Sequence, residues 1–142
     1  MARESADAAV TAARVYRRRL GGVGLNVEPV PRWDWMPPPP GSGHRGVDAR
    51  VLFREPAGSK APDFFVSMLR FGRGSAIQEH ADERGGTHEV ICLEGSGFTS
   101  LGGEKAPIRA GERVTWPPGV VHGLWTEDHE MVTLMVGRYS GS

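Results

Sequence analysis

The stretch GERVTWPPGVVH, residues 111–122, decides the fold of this chain. Gly111 permits a turn into a strand, because glycine reaches left-handed backbone at no steric cost. Glu112–Trp116 is expected to be that strand. Pro117 and Gly119 then supply the chemistry of a second tight turn. His122 starts the next strand, Val120–Thr126, and is expected to point inward. With period-two alternation, Leu124 and Thr126 share its face and Trp125 lies on the other.

Working outward, the same grammar repeats. Glycine (20) and proline (11) are spread through 142 residues, which favours many short strands joined by tight turns. Expected strands are Leu25–Val30, Ala49–Arg54, Phe64–Phe71, His88–Leu93, Phe98–Leu101 and Met131–Arg138. Pro37–Gly46 is a loop by composition, with four prolines followed by Gly-Ser-Gly-His-Arg-Gly. Close, regular strands without helical stretches between them indicate a β-sandwich or barrel. Residues 1–22 stand apart as a tail or short amphipathic helix, with Ala9, Val10, Ala13 and Leu20 as a weak apolar stripe. The division expected is therefore 1–22 and a barrel over 23–142.

Composition limits the partners. Lys plus Arg and Asp plus Glu number 17 each, so no net field draws the chain to nucleic acid or to an acidic membrane. No apolar run is long enough to span a bilayer. The single Cys92 excludes an internal disulfide framework and a four-cysteine zinc site. A reduced, cytoplasmic setting is the expectation.

The spacing of residues 111–122 (Gly, five residues, Pro, one residue, Gly, two residues, His) resembles the second motif of the cupin superfamily, small single-domain members in particular. Where that motif usually continues to Asn, this chain has Thr126. The first cupin motif is matched more loosely: Gly74 precedes His80 by the expected interval, and His88 precedes Gly95 by the expected interval. Asp82 stands where the second histidine belongs, and His88 where the glutamate belongs. Gly85 and Gly86 absorb one or two extra residues between them. The motif core is thus 74–126. The resemblance implies an all-β, double-stranded β-helical barrel, a jelly roll.

The resemblance also implies one divalent transition metal on His80, His88 and His122, with Asp82 as a further ligand or as a neighbour fixing an imidazole. Neutral imidazoles suit Fe, Mn, Ni, Co or Zn, and the resemblance to the superfamily's iron sites puts Fe first. Parity favours His88 facing inward with Val90 and Cys92, while Glu89, Ile91 and Leu93 face out. A one-residue bulge would instead bring Glu89 to the metal. His44 and His129 fall off the motifs and are expected as solvated loop residues.

Three functions are open. The first is a metal-dependent enzyme acting on a small organic metabolite; a three-histidine centre resembles the iron sites of dioxygenases in the superfamily. The same site also suits isomerisation, decarboxylation or water elimination. The second is a metal-free dehydratase, isomerase or epimerase with His80 and Asp82 as acid–base groups. The third is a non-catalytic small-ligand binder. An enzyme is favoured. Trp33, Trp35, Phe65, Cys92, Trp116 and Leu124 are the expected pocket lining, with the proline loop as a lid. An outer face carrying Ile91, Leu93 and Trp125 calls for cover, and a homodimer is the expected solution.

Overall fold

Two long strands carry the architecture of the computed structural model, which describes residues 16–20, 23–59, 61–82 and 84–139. In chain order the strands are β1 (Tyr16–Leu20), β2 (Val23–Val27), β3 (Arg45–Glu55), β4 (Phe64–His80), β5 (Thr87–Leu101), β6 (Glu104–Arg109), β7 (Arg113–Trp116), β8 (His122–Trp125) and β9 (Met131–Arg138). The first half of β4 pairs with β3 and β9, and its second half pairs with β8. Likewise β5 pairs first with β9 and β7, then with β8 and β6. Each long strand therefore passes from one layer to the other, and the circuit β4–β8–β5–β9 closes the barrel. This is the all-β cupin barrel expected.

The bends that allow this crossing have visible causes. In β5 the register slips between Cys92 and Glu94, and Gly95 follows with φ 75°. A Cβ on Gly95 would overlap the carbonyl of Glu130. In β4 the turn falls at Gly72-Arg73-Gly74 and is stitched by Thr126. Its hydroxyl receives the Ser75 N–H at 3.0 Å and donates to the Gly72 carbonyl at 2.5 Å. The residue at the position of the motif's usual asparagine thus pins the corner that sends β4 toward His80.

Between the layers lie Val47, Leu69, Phe71, Val90, Cys92, Ile108, Trp116, Leu124 and Met131. Each fully buried side chain of this size is worth about 1.5–3 kcal/mol. Alternation in β5 follows the expected parity: His88, Val90 and Cys92 are buried, and Glu89, Ile91 and Leu93 are not.

Several expectations are corrected. The two strands expected over 88–101 are one, because the Gly95 corner bends the chain without ending the pairing. Strand β6 was not foreseen, since EKAPIR buries only Ile108. Of the tail or short helix expected over 1–22, Tyr16–Leu20 is instead a strand that pairs antiparallel with Val23–Val27; residues 1–15, 21 and 22 lie outside the described residues. Finally, Ile91 and Leu93 sit in the half of β5 that pairs with β7 and β9, whereas Trp125 pairs with Phe98 in the other half. They do not form the one outer face expected of them, because β5 changes layers between them.

Candidate functional site

His122 and Trp116 form the floor of the site. After the Pro117–Gly119 turn the chain passes from β7, on the first half of β5, to β8, on its second half, and the Trp116 indole lies flat on the His122 ring at 4.1 Å and 12°. The indole is fixed in turn by its Nε1–H, which donates to Thr99 Oγ1 at 3.1 Å. His122 is 2% exposed. Its Nδ1 lies 3.0 Å from the Val120 carbonyl. A carbonyl only accepts, so this contact places the proton on Nδ1 and leaves Nε2 with a free lone pair.

His80, at the end of β4, is the cross-strand partner of His122. Its Nδ1 lies 2.8 Å from the Gln78 carbonyl, which fixes the same tautomer. The two rings are 4.7 Å apart and tilted by 64°. Two imidazoles are thereby held by backbone carbonyls with both Nε2 atoms unused among the described residues, an arrangement that orients metal-binding histidines.

His88 approaches from the other layer. Phe65, Gly137 and His88 are aligned across β4, β9 and β5. A Cβ on Gly137 would overlap the Phe65 ring, so its absence lets Phe65 reach His88, centroid to centroid at 5.8 Å. His88 Nε2 is 3.1 Å from the Tyr139 hydroxyl and 3.5 Å from Asp82 Oδ2. Asp82 Oδ1 receives the Arg84 N–H at 3.0 Å. Its Oδ2 is buried and, among the described residues, meets no hydrogen-bond partner closer than the 3.5 Å contact with His88 Nε2. Arg84 lies 4.1 Å over the Tyr139 ring while bonding the Pro62 carbonyl and Asp63, which ties the loop to the C-terminal end of the barrel.

The electrostatics favour neutral imidazoles beside one carboxylate. Burial lowers His88 below the ordinary 6.5, against the upward pull of Asp82 and with help from His80. Burial also lowers His122, with His80 and His88 acting the same way and the Val120 bond and Asp82 opposing. Burial, then hydrogen bonding and charge from Asp82, push the Tyr139 phenol up to about 12.

In kind, these donors fit a divalent transition ion: two oriented imidazoles, a third across from them, and a buried carboxylate oxygen with no partner closer than His88 among the described residues. In position the set is open. Among the described residues no three His, Cys, Asp or Glu side chains converge closely enough to enclose an ion as they stand. His88 is the outlier, 6.0 Å from His122 by ring centroid and turned to Tyr139.

The remaining candidates divide. Glu89 is not at the site: it faces Arg113 at 3.5 Å on the outside, and the bulge that would have turned it inward lies further along, at Cys92/Glu94. Phe65 and Trp116 border the histidines. Cys92 and Leu124 are fully buried in the core and line no open pocket; burial raises the Cys92 thiol, which makes it inert. Trp33 and Trp35 contact Arg54 and Arg70 rather than the histidine rings. The proline loop is seated on β4 instead of covering the mouth: Gln78 N–H donates to His44 Nδ1 at 3.0 Å. That bond makes His44 a neighbour of the site, its ring 5.5 Å from His80, rather than a solvated loop residue. It also consumes the Nδ1 lone pair and leaves a proton on Nε2, so His44 offers a donor and not a ligand. His129 is exposed, as expected. Sequence reasoning missed Tyr139 entirely. Its signal was weak: one aromatic just beyond the last strand.

A closed double-layer β barrel with a histidine cluster at one end defines a cupin. The Cupin domain family matches residues 67–137, and the chain belongs to that family. Among solved structures it is similar to a cupin-2 domain protein of Rhodospirillum rubrum (20% identity, 77% of this chain and 71% of that one, TM-score 0.61). It is also similar to a predicted oxalate decarboxylase of Thermotoga maritima (22% identity, 75% and 91%, TM-score 0.63). A third is the polyketide cyclase RemF of Streptomyces resistomycificus (24% identity, 75% and 76%, TM-score 0.57). No curated protein sequence matches significantly.

Proposed function

We propose that this cupin is an enzyme that holds one divalent transition metal and acts on a small organic metabolite. The observation that carries this reading is the matched pair His80 and His122, each with Nδ1–H anchored on a backbone carbonyl and Nε2 free. In the proposal His80, His88 and His122 bind the ion and Asp82 Oδ2 supplies the negative charge beside it. Such an ion polarises a chelated carbonyl or carboxylate and keeps open positions for substrate or O2. Iron is the ion proposed first, with a dioxygenase as the finer reading; Mn, Ni, Co and Zn suit the same donors.

The chain's own groups then have distinct work. Trp116 holds the His122 plane and shuts water out from below. Phe65 does the same beside His88. Tyr139 and Asp82 occupy the Nε2 edge of His88 in the structure, and binding the ion requires that ring to turn from them. The names of the fold neighbours, a predicted decarboxylase and a cyclase, accord with small organic substrates. Titration with Co2+, followed by its visible absorption, tests the ligand set. His80→Ala and His122→Ala should abolish the signal and Glu89→Gln should leave it intact. Retention of the full signal in His122→Ala would overturn the reading.

A second reading has its own support. His88, Asp82 and Tyr139 meet at 3.1–3.5 Å, a hydrogen-bonded acid–base group suited to a metal-free isomerase, epimerase or dehydratase. It shifts the pair from His80–Asp82 to His88–Asp82. Among the described residues no helix is long and apolar enough to cross a membrane. The dimer becomes a proposal for the Ile91–Leu93 face alone, where Leu93 is 40% exposed. Light scattering at micromolar concentration that returns the monomer mass of 15.4 kDa would refute it.

A further inference from the structure

Behind the histidines, on the outer side of β4 and β8, lies a cavity of about 400 Å3, a size typical of small-ligand sites. Arg45, Gln78, Glu79, Lys105 and Trp125 line it. Trp125 follows the inward-facing Leu124 and so turns outward, where it stacks on Phe98 at 5.8 Å and 22°. The indole is thus backed by Phe98. Lys105 Nζ stands over the ring, 5.8 Å from its centroid.

The charges around this ring are unbalanced. Among the described residues neither Arg45 nor Lys105 has a carboxylate within ion-pair distance; the four ion pairs involve other groups. The one carboxylate in the lining, Glu79, is already engaged, since Ser100 Oγ donates to it at 2.6 Å. That contact exists because Gly123 lies between them: a Cβ there would press on both Glu79 and Ser100. Ser100 is 1% exposed and lies behind the lining, whereas Glu79 itself is exposed. Two free cations, a fixed indole face and an amide at Gln78 therefore surround the space.

We propose that this cavity is a second small-molecule site, built for a flat aromatic carboxylate. The ring lies on Trp125, and the carboxylate bridges Arg45 and Lys105, with the guanidinium able to bond both oxygens. An aliphatic acid would keep the charge contacts and lose the stack; a neutral aromatic amide would keep the stack and lose the charge contacts. The site is separate from the histidine cluster and does not depend on a metal being held there.

The test is calorimetric titration of the full chain, stripped of metal by chelator, with 2-naphthoate. Binding is expected, weakened about tenfold or more in Arg45→Gln and in Lys105→Gln, and weakened similarly for 2-naphthamide. Tryptophan fluorescence should change on binding in the parent protein and not in Trp125→Phe. His122→Ala, which alters the other site, should bind as the parent does. Absence of binding, equal binding by the Arg45→Gln/Lys105→Gln double variant, or loss of binding in His122→Ala would each overturn the proposal. So would light scattering that shows a dimer broken by the double variant, because the face would then be covered by a second copy of the chain.

Discussion

Trp116 and His122 lie face to face, 4.1 Å apart and 12° from parallel, across the Pro117–Gly119 turn. The stack joins the core to the site, since Trp116 is 1% exposed and bonds Thr99 on its far edge. Trp116→Leu should therefore lose stability and metal together. The expected cost is about 2–5 kcal/mol in urea denaturation, as for a large core truncation. Trp116→Phe keeps a ring on His122 but loses the bond to Thr99 and part of the buried indole volume, at about 1–3 kcal/mol. Equal costs for the two variants would show that the stack contributes nothing.

Gly137→Ala should destabilise by about 1–3 kcal/mol through overpacking, because the new methyl enters the space of the Phe65 ring. The remedy should be specific. Phe65→Leu in the same chain is expected to restore part of the loss, with a coupling of about 0.5–3 kcal/mol in a double-mutant cycle. Strict additivity would mean that Phe65 and Gly137 do not share this space.

Thr126→Val removes the acceptor for the buried Ser75 N–H, leaving it unpaired, and the donor to the Gly72 carbonyl. A loss of about 1–3 kcal/mol is expected, with Thr126→Ser close to the parent. If Val and Ser behave alike, the β4 corner does not rest on this hydroxyl.

Much of this arrangement is legible in the sequence, and the limits are physical. Residues 111–122 carry turn chemistry on both sides of a strand, so the placement of His122 follows from local rules. Alternation from His88 to Leu93 is unbroken until the Cys92/Glu94 bulge, so its parity can be read. The Gly95 corner reads as a strand end because glycine signals a turn and a bend equally. Strand β6 is invisible because, apart from Ala106, its solvent-facing residues are charged or proline. The roles of Tyr139 and His44 depend on partners 51 and 34 residues away, which no local pattern encodes.

The pH dependence of stability follows from His88 and His122, both lowered from 6.5, chiefly by burial. Lowered values mean that the unfolded chain binds more protons between the folded value and 6.5. Their stabilising contribution is complete above 6.5 and is lost as pH falls through the folded values. Denaturation midpoints of metal-free protein should be level above neutrality and fall below about pH 6.5. His88→Asn should flatten part of that decline. A midpoint that rises on acidification would contradict the lowered values.

Whether His80, His88 and His122 hold an ion is decided most directly by elemental analysis of chain purified without chelators and without a nickel column. About one Fe, Mn, Co, Ni or Zn per chain is expected for the parent protein, and most of it should be missing from His122→Ala. Negligible metal in the parent, unchanged after reconstitution with each ion, would contradict the metal centre and leave the His88–Asp82–Tyr139 acid–base group as the working site.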